Sequence, residues 1–347
     1  MAMQALTERE RRVLEAVIQS YVETAEPAGS RTISRRFGIG VSPATIRNTM
    51  SDLEEKGYLF HPHTSAGRVP TDQAYRAYVD SLLMVAPAID RTAHEMLRGE
   101  LTAGGSAIEA ILRRAAQVLG VLTHELGVAI GPQLAQARLE RLELVRLSAE
   151  RLLMVLRLSG GAAQSIFVEV PGEVAEPALA EVARILNERL AGLTLREIRV
   201  SLTERLRDTS APRDAKELLN IFIQEGEQLF SPAPLDSAPV MLGQTSVLVE
   251  QPEFANATSL RRLLALAERP DALGELMRRP HASGGLSITI GNEHGDSELS
   301  DFTLVTAEFR TAGLAGVIGV IGPTRMPYEK VISLVTHTSR LIADLID

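Results

Sequence analysis

The sequence predicts an α+β protein of several domains that begins with a winged helix-turn-helix. Three observations indicate this fold class. The chain has 347 residues, which is enough for two or three domains. Near its amino-terminal end, two short helical patterns are joined by a glycine-rich turn. Further along the chain, runs of residues typical of β-strands alternate with amphipathic helical stretches, which indicates mixed structure.

The glycine-rich turn lies between two helices whose ends carry capping signals. The first helix is predicted to begin with Ser30 as its N-cap and to end at Gly38, because glycine tolerates the left-handed conformation of a C-terminal cap. The second is predicted to begin with Ser42 as N-cap and Pro43 at its first position, and to end at Gly57. A helix, a glycine turn and a capped helix in this order form a helix-turn-helix.

The second helix has an apolar face and a polar face. Three apolar residues recur at helical spacing and are expected to contact the core: Ile46, Met50 and Leu53. The opposite side carries Ala44, Arg47, Asn48 and Ser51. Arginine pairs with guanine, asparagine pairs with adenine, and small residues allow close approach to the groove. We therefore interpret this helix as the one that contacts bases, with a merely solvated polar face as the alternative.

The charge around this helix is opposite to that of the whole chain. The net charge of the chain is −8, whereas residues 27–51 contain four arginines and no acidic residue. Residues 56–71 also lack acids. This reversal indicates a surface that faces phosphate groups. The predicted DNA-binding residues are Ser30, Arg31, Thr32, Arg35, Ser42, Ala44, Thr45, Arg47, Asn48, Ser51, His63, Thr64 and Arg68.

A short hairpin is predicted directly after the second helix. Residues 58–61 have the pattern of a strand, residues 62–67 that of a loop, and Arg68 begins the returning strand. A hairpin at this place is the wing of a winged helix. We expect His63 and Arg68 at or near the tip of the wing, where they would touch the DNA backbone or the minor groove.

Two further helices complete the predicted amino-terminal domain. Thr7 and Glu10 have the spacing of a capping box, which predicts a helix that continues to about Glu23 and packs under the helix-turn-helix. Thr71 is expected to cap another helix, which closes the domain and leads away from it.

The remainder of the chain predicts a linker, helices and short strands. The linker covers residues 86–105, is rich in glycine and alanine, and leaves room for a short helix at about 91–97. Helices are predicted at about 106–126, 176–190, 213–229, 258–267 and 271–278, and after Pro327. Strands are predicted at about 127–131, 139–147, 151–158, 164–170, 286–290, 301–309 and 316–321. The short separations between the second, third and fourth of these strands favour an antiparallel meander. The apolar stripe of the last helix fits either a core or a dimer seam.

No signature of an enzyme, a metal site or a cofactor site is found. The chain has no cysteine, which excludes disulfides, thiolate metal sites and cysteine nucleophiles. His94-Glu95 and His124-Glu125 begin like zinc-protease motifs but lack the second histidine. Glycines at 313, 316, 319 and 322 fit close packing in a buried strand better than a phosphate-binding loop. The acidic loop 292–298 fits a solvated hairpin tip better than a calcium site.

The sequence also predicts where the protein resides. The amino-terminal end has no apolar signal region, and no apolar run is long enough to span a membrane. We therefore expect a soluble, cytoplasmic protein with no membrane partner.

Several segments of the chain closely resemble the HrcA family of bacterial heat-shock repressors. The segments are EPAGSRTIS, SPATIRNTMSDLEEKG and PHTSAGRVPT, followed by AYRAYVDSLL, and near the carboxyl-terminal end GVIGVIGPTRMPYEKVISLV. They occur in the same order as in the family and span essentially the whole chain. The resemblance is therefore more specific than a lone helix-turn-helix.

The resemblance implies an architecture, a function and partners. Its domains would be a winged helix at 1–85, the linker at 86–105, a GAF-like α/β domain at 106–136 and 236–347, and an inserted dimerisation domain at 137–235. The protein would repress chaperone operons as a homodimer on double-stranded DNA, at the inverted repeat called CIRCE. Chaperonin would promote the state that binds DNA.

Two other classes of protein remain as alternatives. The first is a transcription regulator whose GAF-like domain binds a metabolite, and a polar-lined pocket within residues 245–325 would favour it. The second is an enzyme that acts on nucleic acid, which the missing carboxylate and nucleophile motifs disfavour. For the repressor, the glycine- and alanine-rich linker predicts that the two winged domains are not held at one fixed spacing.

Overall fold

The computed structural model of the chain describes most of its residues. The described ranges are 6–63, 66–84, 89–103, 108–132, 137–159, 163–209, 211–229, 240–249, 251–255, 261–262, 264–266, 268–277, 285–311 and 314–346. The predicted helix at 258–267 falls only partly within them, and the proline-rich stretch 231–234 lies outside.

The amino-terminal part is a winged helix-turn-helix. Its elements are α1 (Glu8–Thr24), α2 (Ser30–Phe37), α3 (Pro43–Glu55), β1 (Leu59–Phe60), β2 (Val69–Pro70) and α4 (Asp72–Leu83). The Thr7–Glu10 capping box closes the first turn of α1, and the Thr71 hydroxyl accepts a hydrogen bond from the amide of Ala74 at the start of α4. These caps confirm the predicted helix starts, and the antiparallel pairing of β1 with β2 confirms the hairpin.

A five-stranded antiparallel sheet forms the centre of the molecule, with strand order β7-β3-β10-β9-β8. Its strands are β3 (Leu126–Ile130), β7 (Val240–Leu242), β8 (Leu286–Ile290), β9 (Phe302–Thr311) and β10 (Leu314–Pro323). The helices around it are α5 (Arg91–Thr102), α6 (Ile108–Thr123), α10 (Ser246–Val249), α11 (Pro270–Met277) and α12 (Tyr328–Ile346). Short 3₁₀ turns cover Pro252–Phe254 and Gly291–His294. The strand β7 was not among the sequence predictions, because three residues are too few to give a pattern.

The chain between β3 and β7 forms a second sheet with its own helices. Strands β4 (Leu139–Arg146), β5 (Arg151–Leu158) and β6 (Ala163–Glu169) pair as the predicted antiparallel meander. Helices α7 (Glu176–Leu190), α8 (Leu195–Arg207) and α9 (Arg213–Leu229) follow. The buried faces of these elements form a separate hydrophobic core.

The central sheet is covered on both faces. Ala129, Val305 and Ile318 point towards α6 and α12, whereas Val128, Phe302 and Ile321 belong to a second cluster on the other face. A strand that is buried on both faces consists almost entirely of apolar residues, as β3 does. Because α12 packs on β9, β10 and α6, its apolar stripe belongs mainly to the core.

Glycines in β10 allow close packing, as the sequence indicated. A Cβ on Gly319 would overlap the carbonyl of Val305, and one on Gly322 would overlap the carboxylate of Glu125. Glycine is therefore needed at these two places for steric reasons, and no phosphate-binding role is required to explain it.

The predicted linker contains a packed helix, which differs from the expected loose connection. Leu97 and Leu101 on α5 are almost fully buried, and Arg114 on α6 donates a hydrogen bond to the carbonyl of Leu101. The helix continues to Thr102, five residues beyond the predicted end. Apolar side chains at 97 and 101 lie one helical turn apart, so they fix α5 against α6.

Candidate nucleic-acid interface

The predicted recognition helix α3 is anchored to the core by its apolar face. Ile46, Met50 and Leu53 are at most 3% exposed, and Ile33 on α2 is fully buried beside them. Because residues four apart share a helix face, this anchoring turns Arg47 and Asn48 outward. The two faces predicted from the sequence are those that the structure has.

The start of α3 is held by its predicted cap. The Ser42 hydroxyl accepts a hydrogen bond from the amide of Thr45 at 3.1 Å, and the two hydroxyl oxygens lie 3.0 Å apart. By contrast, Ser30 is the first residue of α2 and not its N-cap, which is Gly29 without a side-chain cap. The N-cap prediction for Ser30 was wrong by one residue, since the extended backbone continues to Gly29.

The predicted DNA-binding residues differ in exposure. The exposed ones are Arg31, Thr32, Arg35, Ser42, Ala44, Arg47, Asn48 and His63. The half-buried ones are Ser30, Thr45, Ser51 and Arg68, and Thr64 lies outside the described residues. Most of the set therefore lies on α2 and α3, which pack on each other. Contact of these residues with DNA stays a prediction.

Arg68 lies at the base of the wing and not at its tip. Its backbone pairs with Ala28 through hydrogen bonds of 2.8 and 2.9 Å. Its guanidinium forms an ion pair with Glu54 at 2.7 Å, and the side chain is only 13% exposed. The expected position at or near the tip was wrong for Arg68, because its backbone pairs with the segment before α2 and its side chain turns towards α3.

A buried ion pair supports the end of α3. The Glu10 carboxylate accepts hydrogen bonds from the Lys56 ammonium at 2.7 Å and from the Thr7 amide at 2.8 Å. The Lys56 hydrogen bond, followed by that of the Thr7 backbone, lowers the pKa of Glu10. Glu10 thus caps α1 and fixes α3 at the same time. The sequence showed only the capping box, since Lys56 is 46 residues away.

Free cations remain on the outer surface of α2 and α3. Within the part of the chain that the structure describes, Arg31, Arg35 and Arg47 make no ion pair, whereas Arg36 contacts Glu23. Guanidinium groups with available donors suit phosphate oxygens and guanine edges. The geometry of this surface is therefore suited to the DNA contact that the sequence predicted.

The winged part docks on the central sheet through polar contacts. Arg76 on α4 donates to Glu293 at 2.7 Å and to the carbonyl of Ile288 at 2.6 Å. Asp72 accepts hydrogen bonds from the amide and the side chain of Asn292 at 3.0 and 2.8 Å. The acidic loop 292–298 was expected to be solvated. Its first residues also form this contact. The sequence did not predict the contact, because the partners lie more than 200 residues away.

A second polar contact and two tyrosines complete the junction. Arg325 donates to Glu253 and, at 2.5 Å, to the carbonyl of Val22 at the end of α1. The rings of Tyr75 and Tyr328 lie 5.6 Å apart, and both side chains are buried in one continuous core. The winged part therefore has a defined position on the central sheet, which the predicted flexible linker did not suggest.

A polar cavity of about 620 Å³ lies beside this junction. Residues 245–325 contribute Glu253, Phe254, Asn292, Ser300, Asp301, Thr324 and Arg325 to its lining. The winged part contributes Tyr21, Phe60, Asp72 and Tyr75, among others. This is the type of feature that favours the metabolite-sensor alternative, but its lining also includes residues of the winged part and so does not lie within residues 245–325 alone.

The described residues show neither a membrane span nor a metal cluster. No helix there combines the length and apolarity that a membrane span requires. No group of three or more histidine, aspartate or glutamate side chains there is arranged to hold a metal ion.

A winged helix-turn-helix with exposed arginines on α2 and α3 defines the class of winged-helix DNA-binding proteins. Residues 3–67 match the family model of the LexA DNA binding domain. Residues 109–332 match the model of the HrcA protein C terminal domain. The matched segments cover both the amino-terminal fold and the greater part of the remaining chain.

Related proteins match this chain over nearly its full length. The heat-inducible transcription repressor HrcA of Chlorobium phaeobacteroides is 40% identical over 346 residues, covering 97% of each chain. The repressor of the same name from Geobacter sulfurreducens is 38% identical over 347 residues, covering 99% of each chain. The chain belongs to the HrcA family. Its relatives are transcription repressors, which are not a class of enzymes.

A solved structure shares the fold. A crystal structure of a hypothetical protein at 2.2 Å resolution is 21% identical and covers 99% of both chains, with a TM-score of 0.68. At this level of identity the likeness concerns the fold alone. It agrees with the arrangement of a winged helix-turn-helix, a central sheet and the second sheet that follows β3.

Proposed function

We propose that this chain is a transcriptional repressor of heat-shock genes that binds DNA through α3. Membership of the HrcA family supports this, since the relatives are named heat-inducible transcription repressors. The observation that carries the proposal is the outward face of α3, where Arg47 and Asn48 are exposed side by side. Arginine and asparagine are the residues that bind guanine and adenine edges in the major groove.

The proposed operator is the inverted repeat CIRCE, bound by a homodimer. Each recognition helix would enter the major groove of one half-site, so the symmetry of the protein matches that of the DNA. Arg31 and Arg35 on α2 would contact phosphates, as would His63 and Thr64 in the wing. The small residues of the two helices and of the α3 cap would allow close approach to the DNA. They are Ser30, Thr32, Ser42, Ala44, Thr45 and Ser51.

The proposed dimerisation domain is the inserted unit at residues 137–235. The outer face of its sheet carries a cross-strand row of Val145, Leu153 and Phe167. Phe167 is 64% exposed and Val145 46% exposed, whereas the opposite face packs on α7 to α9. An exposed apolar row of this kind favours burial against a second copy. Phe167→Glu is expected to shift sedimentation towards monomer, and Val200→Glu, at an exposed position of α8, is the control.

The proposed regulation involves chaperonin as a second protein partner. Chaperonin would favour the DNA-binding state, and heat-denatured proteins would compete for it and so relieve repression of the chaperone operons. The HrcA family supports this part of the proposal. The protein would act in the bacterial cytoplasm, without a cofactor.

The test is operator binding by purified full-length protein with and without chaperonin. We expect protection of both half-sites, and tighter binding in the presence of chaperonin. Arg47→Ala and Asn48→Ala should each cost roughly 1–3 kcal/mol and relax specificity at one base pair per half-site. Arg196→Ala on exposed α8 is the matched control. Wild-type binding by both α3 variants would exclude α3 as the recognition helix.

A further inference from the structure

The wing, which is the hairpin of β1 and β2, has too little strand pairing to hold its own direction. Each of its strands has two residues, so the hairpin pairs at two positions only. A hairpin of two strands is at best marginally stable in water without further support. The direction in which the wing points relative to α3 therefore depends on contacts outside the hairpin.

The returning arm of the wing is joined to the segment before α2. The backbone of Arg68 exchanges two hydrogen bonds with that of the buried Ala28. The preceding Gly67 lies so close to this segment that a Cβ would overlap the carbonyls of Pro27 and Ala28. A single bridge of this kind fixes one point of the arm but does not fix its direction.

Glu54, in the last turn of α3, faces both arms of the wing. One of its carboxylate oxygens forms the ion pair with the Arg68 guanidinium at 2.7 Å. The other lies 3.8 Å from Nδ1 of His61 on the outgoing arm. The side chain of Glu54 is 33% exposed and that of Arg68 is 13% exposed. Because partly buried pairs are screened less by water and salt than exposed pairs, this contact can hold the wing at one angle to α3.

The guanidinium of Arg68 is poorly placed to contact DNA. Its Nη2 bonds to Glu54, and its Nε is buried and has no hydrogen-bond partner among the described residues. One donor edge of the guanidinium is therefore occupied at Nη2 and shielded at Nε. A phosphate contact through this edge would require the ion pair to break. An arginine whose donors are bonded within the chain fixes the geometry of that chain.

We propose that Glu54 and Arg68 are positioning residues for DNA binding, which hold the wing at one angle to α3 and do not themselves contact DNA. The wing and α3 then reach the duplex in a fixed arrangement, and a preorganised surface loses less entropy when it binds. Without the pair, the wing has to be ordered at each binding event, and the affinity falls. The effect on DNA rests on the proposed function, whereas the fixed wing is a property of the free protein.

The first test needs no DNA. The amides of Ala28 and Arg68 each donate a hydrogen bond across the bridge, so their hydrogen exchange reports opening of the wing. In free full-length Glu54→Gln, peptides that contain these amides should exchange roughly 3- to 10-fold faster than in the wild type, as expected for the loss of one hydrogen bond. Exchange at the rate of the wild type would overturn the proposal.

The matched control is Glu55→Gln. Glu55 is the next residue of α3, is exposed, and makes no ion pair with a described residue. Its substitution removes the same charge from the same helical turn, and the wing should exchange as in the wild type. Equal acceleration in both variants would show that the charge of α3 matters and the contact with the wing does not, which would also overturn the proposal.

The second test measures operator affinity over a salt series at about pH 8, where an ordinary histidine is mostly neutral. Arg68 is the only lysine or arginine in residues 58–71. If it contacted a phosphate, Arg68→Ala would make the slope of log affinity against log salt about 0.9 less steep. Positioning instead predicts a roughly 3- to 10-fold loss of affinity with the slope of the wild type. A flatter slope would overturn the proposal.

Glu54→Gln separates positioning from charge by the sign of its effect on affinity. It removes a negative charge from the winged part, so charge alone predicts equal or tighter binding to DNA. Positioning predicts the same roughly 3- to 10-fold loss as for Arg68→Ala, with no further loss in the double variant. Glu55→Gln should not weaken binding. Glu54→Asp, which keeps a carboxylate, should bind more tightly than Glu54→Gln.

Two outcomes of the affinity measurements contradict the positioning role: unweakened binding by Glu54→Gln, or losses that add in the double variant. Circular dichroism melting verifies that each variant is folded. If the wild type bound no operator, the proposed repressor function would fail. The exchange measurement would still decide whether Glu54 fixes the wing.

Discussion

Two surfaces of this molecule differ in whether the N–H donors of their arginines are already bonded within the chain. On α2 and α3, Arg31, Arg35 and Arg47 are exposed and make no ion pair with a described residue. At the junction with the central sheet, Arg76 and Arg325 each bond to a glutamate and to a backbone carbonyl. A guanidinium with available donors is suited to an outside partner, whereas one with occupied donors fixes the geometry of its own chain. The residue type alone does not distinguish these roles.

The largest expected effect comes from breaking the contact of Arg325. Its side chain is 14% exposed and that of Glu253 is 27% exposed, so Arg325→Ala leaves a partly buried carboxylate without its partner. We expect a loss of roughly 2–3 kcal/mol in the free energy of unfolding, measured by urea denaturation.

The matched control for this prediction is an exposed pair. Arg310 bonds to Glu308 at 2.6 Å, but its side chain is 79% exposed, so Arg310→Ala should not change stability measurably. If both variants lost the same stability, the junction contact would have no special role, and the contrast between the two arginine surfaces would fail at this point.

A smaller effect is expected when Glu10 loses its charge. Its carboxylate accepts a hydrogen bond from Lys56, so this cation is already paired within the winged part. The pKa of Glu10 in the folded protein lies below its ordinary value of 4.5, chiefly because of the Lys56 hydrogen bond. The stabilisation is therefore complete above that ordinary value and is lost as the pH falls through the lower folded value. We expect the loss to be about 1–2 kcal/mol in the free energy of unfolding, the sum of a cap and one charged hydrogen bond.

Glu10→Gln tests this prediction against the wild type. At neutral pH the variant should be less stable than the wild type, and the difference should shrink on acidification. Denaturant unfolding at a series of pH values measures both quantities. A difference that stayed constant from neutral to acidic pH would show that the charge of Glu10 does not contribute.

The sequence predicted those features that depend on neighbours in the chain. Thr7, Ser42 and Thr71 were identified as helix starts because a cap and the amide it accepts from are three residues apart. The meander of the second sheet was also predicted, since its strands are joined by short turns. The outward face of α3 followed from helical spacing.

The features that the sequence did not predict depend on distant partners. Arg68 was expected at the wing tip but pairs with Ala28 and Glu54. The loop at 292–298 is largely exposed, as expected, but Asn292 and Glu293 also contact α4, whose partner residues lie about 220 positions earlier. The helix α5 is held on α6 and α12 by Leu97, Leu101 and the contact of His94 with His337. No local pattern carries information about such pairs.

The smallest expected effect concerns a single free cation on the DNA-facing surface. Arg35→Ala should weaken binding to all DNA sequences similarly, because a phosphate contact carries no base information. The slope of log affinity against log salt concentration should become about 0.9 less steep, as expected for one phosphate contact fewer. Fluorescence anisotropy over a salt series, with a specific and a scrambled duplex, measures both. Arg196→Ala should leave the slope unchanged, and Arg47→Ala should instead reduce the difference between the two duplexes. An unchanged slope for Arg35→Ala would move this residue out of the DNA-facing group, despite its exposure and its lack of an ion pair among the described residues.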